Sequence, residues 1–201
     1  PQIAITASRN IFVFMDGTAN NPETPTNVYR LYQAIEHSKD DTTVCASYIE
    51  GVGNAKDPLT EVSEQAFALG MEERILRGYK FITKNYRPGD RIYIFGFSRG
   101  AHTARSLAGL ISYAGVPKFE SANDSFWDHM GTSGWNIGNK ILELTREQID
   151  TNHATNWKNW KRGDAPILEG LIKAEESILG RSKNIEVQSA EVEFLGVWDT
   201  V

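Results

Sequence analysis

The sequence predicts an α/β fold, with a mostly parallel central sheet and helices on both faces. Three observations carry that expectation. Short strand-like runs occur at 10–15, 43–53, 91–97 and 191–201, and the most apolar of them read as strands buried in a parallel sheet. Longer stretches between them repeat apolar residues every three or four positions, as amphipathic helices do. Strand-like and helix-like stretches therefore alternate, and that rhythm builds a parallel sheet covered by helices.

The first run, Asn10 to Met15, is rich in Ile, Phe and Val and stops abruptly at Asp16-Gly17-Thr18. Residues 18–27 are dense in Asn, Pro and Thr and read as a loop. Asn27 is placed to cap a helix over 28–37, with Val28, Leu31 and Ile35 on one face. The run at 43–53 leaves through Gly51-Val52-Gly53, a spacing that calls for close backbone packing or positive φ angles. Residues 60–85 form the longest helical stretch, with Phe67, Met71, Ile75, Tyr79 and Ile82 in one stripe and Gly70 and Gly78 interrupting it. Arg87-Pro88-Gly89-Asp90 is a turn. Arg91 to Phe97 is a strand, and Ser98 opens a helix that ends near Gly115. Further helices fit 137–148 and 166–179, and a last strand lies within 191–201. Residues 117–163 hold four of the five tryptophans, Trp127, Trp135, Trp157 and Trp160, together with Gly131, Gly134 and Gly138. They read as an insertion or lid-like layer inside a single domain spanning 1–201.

Composition narrows the function classes. The 201 residues are enough for one domain with a sizeable core. A formal net charge of -5 offers no basic stripe to neutralise phosphates, which argues against nucleic acid. Cys45 is the one cysteine, so no internal disulfide forms. No run approaches the roughly 18–20 apolar residues of a membrane helix, and no basic-then-apolar signal pattern opens the chain. The reading is of a soluble chain made in the cytoplasm, whose export, if any, uses no classical signal.

Gly96-Phe97-Ser98-Arg99-Gly100 matches G-x-S-x-G at a strand-to-helix junction, the setting of a nucleophile elbow. Small flanking residues let the strand and helix backbones approach, and the helix N-terminus favours developing negative charge. Ser98 is the expected nucleophile, and the Arg99 N–H is the natural first oxyanion donor. The bland alternative is a serine that merely caps the helix. A serine also needs a base. His102 is one helical turn away, His129 and His153 fall in the tryptophan-rich region, and His37 closes the first helix as a surface residue. In the elbow architecture the base normally follows the acid in a later loop.

Phe194 to Asp199 is a strand ending in a carboxylate, and catalytic groups gather at the carboxyl ends of parallel strands. Asp199 is therefore the expected acid, orienting a histidine. Asp16 also follows a buried strand. It is the rival for the triad acid, but its expected part is to position the loop that offers an oxyanion N–H from Gly17 or Thr18. Two other function classes stay open on these residues. One is a noncatalytic binding domain. The other is a metal-dependent phosphohydrolase built on Asp16 and Asp199, which lacks a histidine cluster of ligand spacing.

Taken together, Phe14–Asn20 (F-x-DGT-x-N), the GVG at 51–53, the aromatic helix before Pro88–Asp90, GFSRGA-x-x-AR from Gly96 to Arg105, and GVWDTV from Gly196 to Val201 resemble one family. It is the catalytic domain of bacterial type VI secretion phospholipase effectors and their relatives, a variant α/β-hydrolase. The resemblance covers essentially the whole chain; His102 stands where the family usually has an aromatic residue. It implies a serine carboxylic-ester hydrolase, a phospholipase or lipase working through an acyl-serine without a metal or organic cofactor. It places the nucleophile on Ser98, the acid on Asp199 and the oxyanion loop on Asp16 to Thr18. It implies a lipid or small-ester substrate, peripheral membrane contact and, for a bacterial effector, a secretion-apparatus or immunity partner. The family's catalytic histidine comes after the GVWDTV segment. The expectation is therefore that residues 1–201 are C-terminally incomplete and, alone, turn over no ester.

Overall fold

The computed structural model describes residues 8–18, 20, 22–23, 25–37, 42–51, 64–118 and 186–199. The chain packs as two compact units, one of 1–106 with 192–201 and one of 107–191. The first unit contains strand β1 (Asn10–Met15), helix α1 (Asn27–Glu36), strand β2 (Val44–Ile49), helix α2 (Glu64–Asn85), strand β3 (Arg91–Phe97) and strand β6 (Val192–Trp198). Helix α3 (Arg99–Ala114) begins in it. In the second unit, β4 (Val116–Lys118) and β5 (Glu186–Gln188) pair antiparallel, a small ribbon that sequence reading did not anticipate. Among the described residues, no helix is long and apolar enough to cross a membrane.

The sheet of the first unit has the order β2-β1-β3-β6, and every pairing is parallel. The chain leaves β1 for β2 on one side and returns to β3 on the other, so the order reverses between β1 and β3. Ligands of open parallel sheets bind outside the carboxyl ends of the strands at such a reversal.

Side-chain alternation divides this sheet into two unlike faces. Ile11, Val13 and Met15 pair in register with Ile92, Ile94 and Gly96. All five side chains on this aliphatic face are fully buried. The opposite face is aromatic: Phe12 stacks on Tyr93 with ring centres 4.9 Å apart, and Phe14 on Phe95 at 5.2 Å. Helix α1 covers the aromatic face, where Tyr32 meets Phe14 edge-on at 5.7 Å. Helix α3 begins on the aliphatic face, over Gly96. Gly196 is a glycine for a local reason. A Cβ there would lie 2.7 Å from the Phe95 ring, which crosses it between Phe194 and Trp198.

The amino edge of the sheet is pinned by charge. Arg9 pairs with Asp90 at 2.7 Å, and the Asp90 carboxylate also accepts from the Arg9 and Arg87 backbone N–H groups. The Arg87–Asp90 corner is a turn, as the sequence predicts, and Gly89 within it has φ 93.

One boundary differs from expectation. Thr26, not Asn27, caps α1: its hydroxyl accepts from the Tyr29 N–H at 3.2 Å, while Asn27 is the first helical residue. Thr26 has extended backbone, which suits a cap. Helix α2 runs through Gly70 and Gly78 without a break. Its stripe of Ile75, Tyr79 and Ile82 is buried, and that packing offsets the weak helix propensity of glycine. The expected helices at 137–148 and 166–179, most of the tryptophan-rich 117–163 segment, and Gly53 lie outside the described residues.

Candidate active site

Ser98 makes the corner between β3 and α3 alone, since Phe97 ends the strand and Arg99 opens the helix. Its φ is 52, in the left-handed region that costs a side-chain-bearing residue roughly 1–2 kcal/mol. A capping serine has extended backbone, and its hydroxyl oxygen accepts from the N–H of the second or third helical residue. Ser98 does neither, because its φ is positive and its Oγ makes no hydrogen bond among the described residues. The tight corner is closed instead by backbone, with the Ala101 N–H donating to the Ser98 carbonyl at 2.8 Å.

The flanking glycines are needed for space. A Cβ on Gly96 would lie 2.5 Å from the Gly100 carbonyl oxygen and 2.6 Å from Ala101 Cα. One on Gly100 would lie 2.3 Å from the Met15 carbonyl oxygen and 2.5 Å from that of Asp16. The start of α3 thus presses on both β3 and the carboxyl end of β1.

Asp199 leaves the neighbouring strand. Phe97 pairs with Trp198, and the Ser98 N–H donates to the Trp198 carbonyl at 2.9 Å. Ser98 and Asp199 therefore emerge side by side, both with left-handed backbone, and Asp199 is exposed.

The loop after β1 completes the edge. Asp16 is fully buried, and three donors engage its carboxylate: the Gly17 N–H at 2.8 Å, the Thr26 hydroxyl at 2.8 Å and the Tyr48 hydroxyl at 2.7 Å. Its backbone carbonyl accepts from Arg74 Nη2. The loop is then tied to the end of β2: Asn20 N–H donates to Gly17 O, and Gly51 N–H to Asn20 O. Gly51 must be glycine, because a Cβ there would overlap the Gly17 carbonyl at 1.6 Å. The Gly17 N–H is occupied by Asp16. Thr18 sits in the following turn, its Oγ buried without a hydrogen-bond partner among the described residues.

Burial, and after it the Asp16 carboxylate, push the Tyr48 phenol well above its ordinary value. Burial lowers Arg74 to about 10, with Asp16 opposing and Arg77 and Arg99 adding to the drop, so it remains a cation at neutral pH.

All six expected site residues, Asp16, Gly17, Thr18, Ser98, Arg99 and Asp199, thus lie at the carboxyl edge of one sheet. Thr26, Tyr48 and Arg74 were not anticipated. Only Arg74 left a signal: three positions after Met71, it is a charge on the apolar stripe of its helix. The described histidines do not complete the site. His37 caps the far end of α1, at the amino edge of the sheet, with its Nδ1 on the Gln33 carbonyl at 2.6 Å. His102 is exposed on α3, and neither is hydrogen-bonded to Ser98. His129 and His153 lie outside the described residues.

The geometry does not favour a shared metal. Strand β3 separates the strands that carry Asp16 and Asp199, which sets their backbones about 10 Å apart. Among the described residues, no group of three or more His, Cys, Asp or Glu side chains is arranged to hold an ion.

A parallel sheet covered by helices, with a glycine-flanked, left-handed serine at a tight strand-to-helix corner beside its reversal point, defines an α/β protein. The chain belongs to the family described as the type VI secretion system (T6SS) phospholipase effector Tle1-like catalytic domain, whose model matches residues 9–201. This bears out the expected resemblance and makes the family one of phospholipase-type hydrolases. A curated relative, the uncharacterized protein YEL023C of Saccharomyces cerevisiae, is 34% identical over 131 residues. The match covers 58% of this chain and 19% of the yeast protein, so the chain spans well under two thirds of that relative's length. No solved structure matches the chain.

Proposed function

We propose that the protein is a serine carboxylic-ester hydrolase of the phospholipase type, with Ser98 as nucleophile and Asp199 as the acid of its triad. The observation that carries this is the corner itself. Ser98 holds a costly positive φ between two glycines that admit no Cβ, beside a strand-end aspartate. Strain of this kind persists where the surrounding structure enforces it, and it clusters at active sites. Family membership supplies the reaction class.

In this reading Ser98 Oγ attacks the acyl carbonyl carbon of a lipid ester while a histidine takes the hydroxyl proton. The carbonyl electron pair moves to oxygen, facing the positive end of α3 and the Arg99 N–H. A donor from the Gly17–Thr18 loop is the second; of the two, Thr18 is favoured, because the Gly17 N–H is held by Asp16. Collapse breaks the ester C–O bond, and the histidine protonates the leaving alcohol. Water, deprotonated by the same histidine, then attacks the acyl-serine; the bond to Ser98 Oγ breaks, the histidine returns its proton to that oxygen, and the fatty acid leaves. Asp199 orients the histidine and stabilises its charged form.

The test is intact mass of the full natural chain before and after a fluorophosphonate probe, together with fatty-acid release from glycerophospholipid vesicles. One adduct is expected, absent in Ser98→Ala, with turnover in that variant reduced by at least about 10⁴-fold. Asp199→Asn should lower kcat by about 10³–10⁴-fold while leaving the fold intact. An unlabelled, inactive wild-type chain would sink the reading and favour the noncatalytic binding domain.

A further inference from the structure

Arg74 is only 4% exposed, on helix α2, and its Nη2 donates to the backbone carbonyl of Asp16 rather than to a carboxylate. That carbonyl is also the atom that a Cβ on Gly100 would strike at 2.5 Å. The guanidinium therefore meets the end of β1 where the first turn of α3 crosses it. The Asp16 carboxylate favours its charge, but the rest of its surroundings do not favour a cation. The helix N-terminus beside it is positive. Arg77 and Arg99 both oppose its charge, and Nε is buried without a hydrogen-bond partner among the described residues. Burying a guanidinium is costly, and what repays it here is the Asp16 residue, through its backbone carbonyl and the field of its carboxylate.

The consequence lies in the Asp16–Gly17 peptide. In a trans peptide the C=O and the following N–H point in opposite directions. Arg74 holds the carbonyl from one side, and the Asp16 carboxylate holds the Gly17 N–H from the other. We propose that Arg74 is a positioning residue for the ester-hydrolase reaction. By gripping the Asp16 carbonyl it fixes the orientation of the Asp16–Gly17–Thr18 loop against the N-terminus of α3, where the oxyanion forms. This rests on the ester-hydrolase reading for its catalytic consequence, but not for the placement of the loop.

The experiment compares wild type, Arg74→Met and Arg74→Lys in the full natural chain. Four quantities are read: kcat, KM, the rate of fluorophosphonate labelling of Ser98, and amide hydrogen exchange of the peptide spanning residues 14–20. Arg74→Met should lower kcat and the labelling rate in parallel by about 10- to 100-fold, less than loss of an oxyanion donor itself. KM should be unchanged, and exchange in the loop should be faster. Arg74→Lys keeps a donor on a shorter stem without the guanidinium fork, and should recover part of kcat and part of the protection. If Arg74→Met fails to fold, Arg74→Lys decides: a lowered kcat with unchanged KM supports the assignment, and wild-type kcat overturns it. A folded Arg74→Met with wild-type kcat and wild-type exchange also overturns it, as does a change confined to KM. If wild type itself shows no Ser98-dependent labelling, the hydrolase reading fails separately. Faster loop exchange in Arg74→Met then still supports the positioning role, and unchanged exchange ends it.

Discussion

At the scale of single residues, the informative quantity is the backbone of Ser98. A left-handed φ suits glycine and penalises any residue with a Cβ, by roughly 1–2 kcal/mol. Ser98→Gly should therefore be more stable than Ser98→Ala by about 1 kcal/mol, reversing the order these residues normally show in and near helices. Urea unfolding of the two variants measures this. If Ser98→Ala were the more stable, the corner would be relaxed and the strain argument for a nucleophile would fail. Motif spacing made Ser98, Gly96 and Gly100 legible in the sequence, but not which atoms each glycine must admit. Thr26 and Tyr48 were not legible as partners of Asp16. They lie 10 and 32 positions away along the chain, and neither spacing carries any pattern.

Among the elements, α3 offers a matched pair. Gly100 and Gly109 share that helix, yet a Cβ on Gly100 would meet the Met15 carbonyl at 2.3 Å while one on Gly109 meets nothing within 4 Å among the described residues. The obstruction at Gly100 is backbone, which cannot swing aside as a flexible side chain can. Gly100→Ala should destabilise by about 2–3 kcal/mol, in the range of overpacked cores, and should also disturb Ser98. Gly109→Ala should be neutral or stabilising by up to about 1 kcal/mol, from helix propensity alone. Thermal unfolding of both decides; equal effects would remove the claim that α3 is wedged against β1. The strands were the most legible elements. β1 and β3 have the bounds the apolar runs predict, because a strand in the middle of a sheet must be apolar on both faces. The ribbon of β4 and β5 was not legible, because each strand has three residues, too few for a period to register.

For the whole molecule, alkaline pH is the revealing condition. Burial raises the phenols of Tyr48, Tyr79 and Tyr86, and lowers Arg74 to about 10. Above pH about 10 an unfolded tyrosine loses its proton while the folded one keeps it, so the folded state binds more protons and stability falls as pH rises. Arg74 acts with the opposite sign, since its folded form gives up the proton first. Three phenols outweigh one guanidinium, and Tyr79, fully buried, contributes a slope of up to about 1.4 kcal/mol per pH unit. Tyr48 and Tyr86 contribute less, being partly in solvent. The urea midpoint should therefore decline from pH 10 upward, and Tyr79→Phe should flatten the decline. A midpoint that holds level to pH 11 in wild type would contradict the burial of these phenols.

The sequence by itself determined the fold class, the strand–helix alternation and the positions of Ser98, Asp199 and the Asp16–Thr18 loop. Period and motif are local properties, and the carboxyl end of a strand is visible where an apolar run stops. Only tertiary structure decided that β6 lies beside β3, bringing Asp199 next to Ser98. It alone decided that Asp16 is spent on Thr26, Tyr48 and its own loop, and that a buried arginine from α2 holds that loop in place. Strand order and long-range hydrogen bonds depend on which surfaces meet when the chain collapses, and no local spacing encodes that.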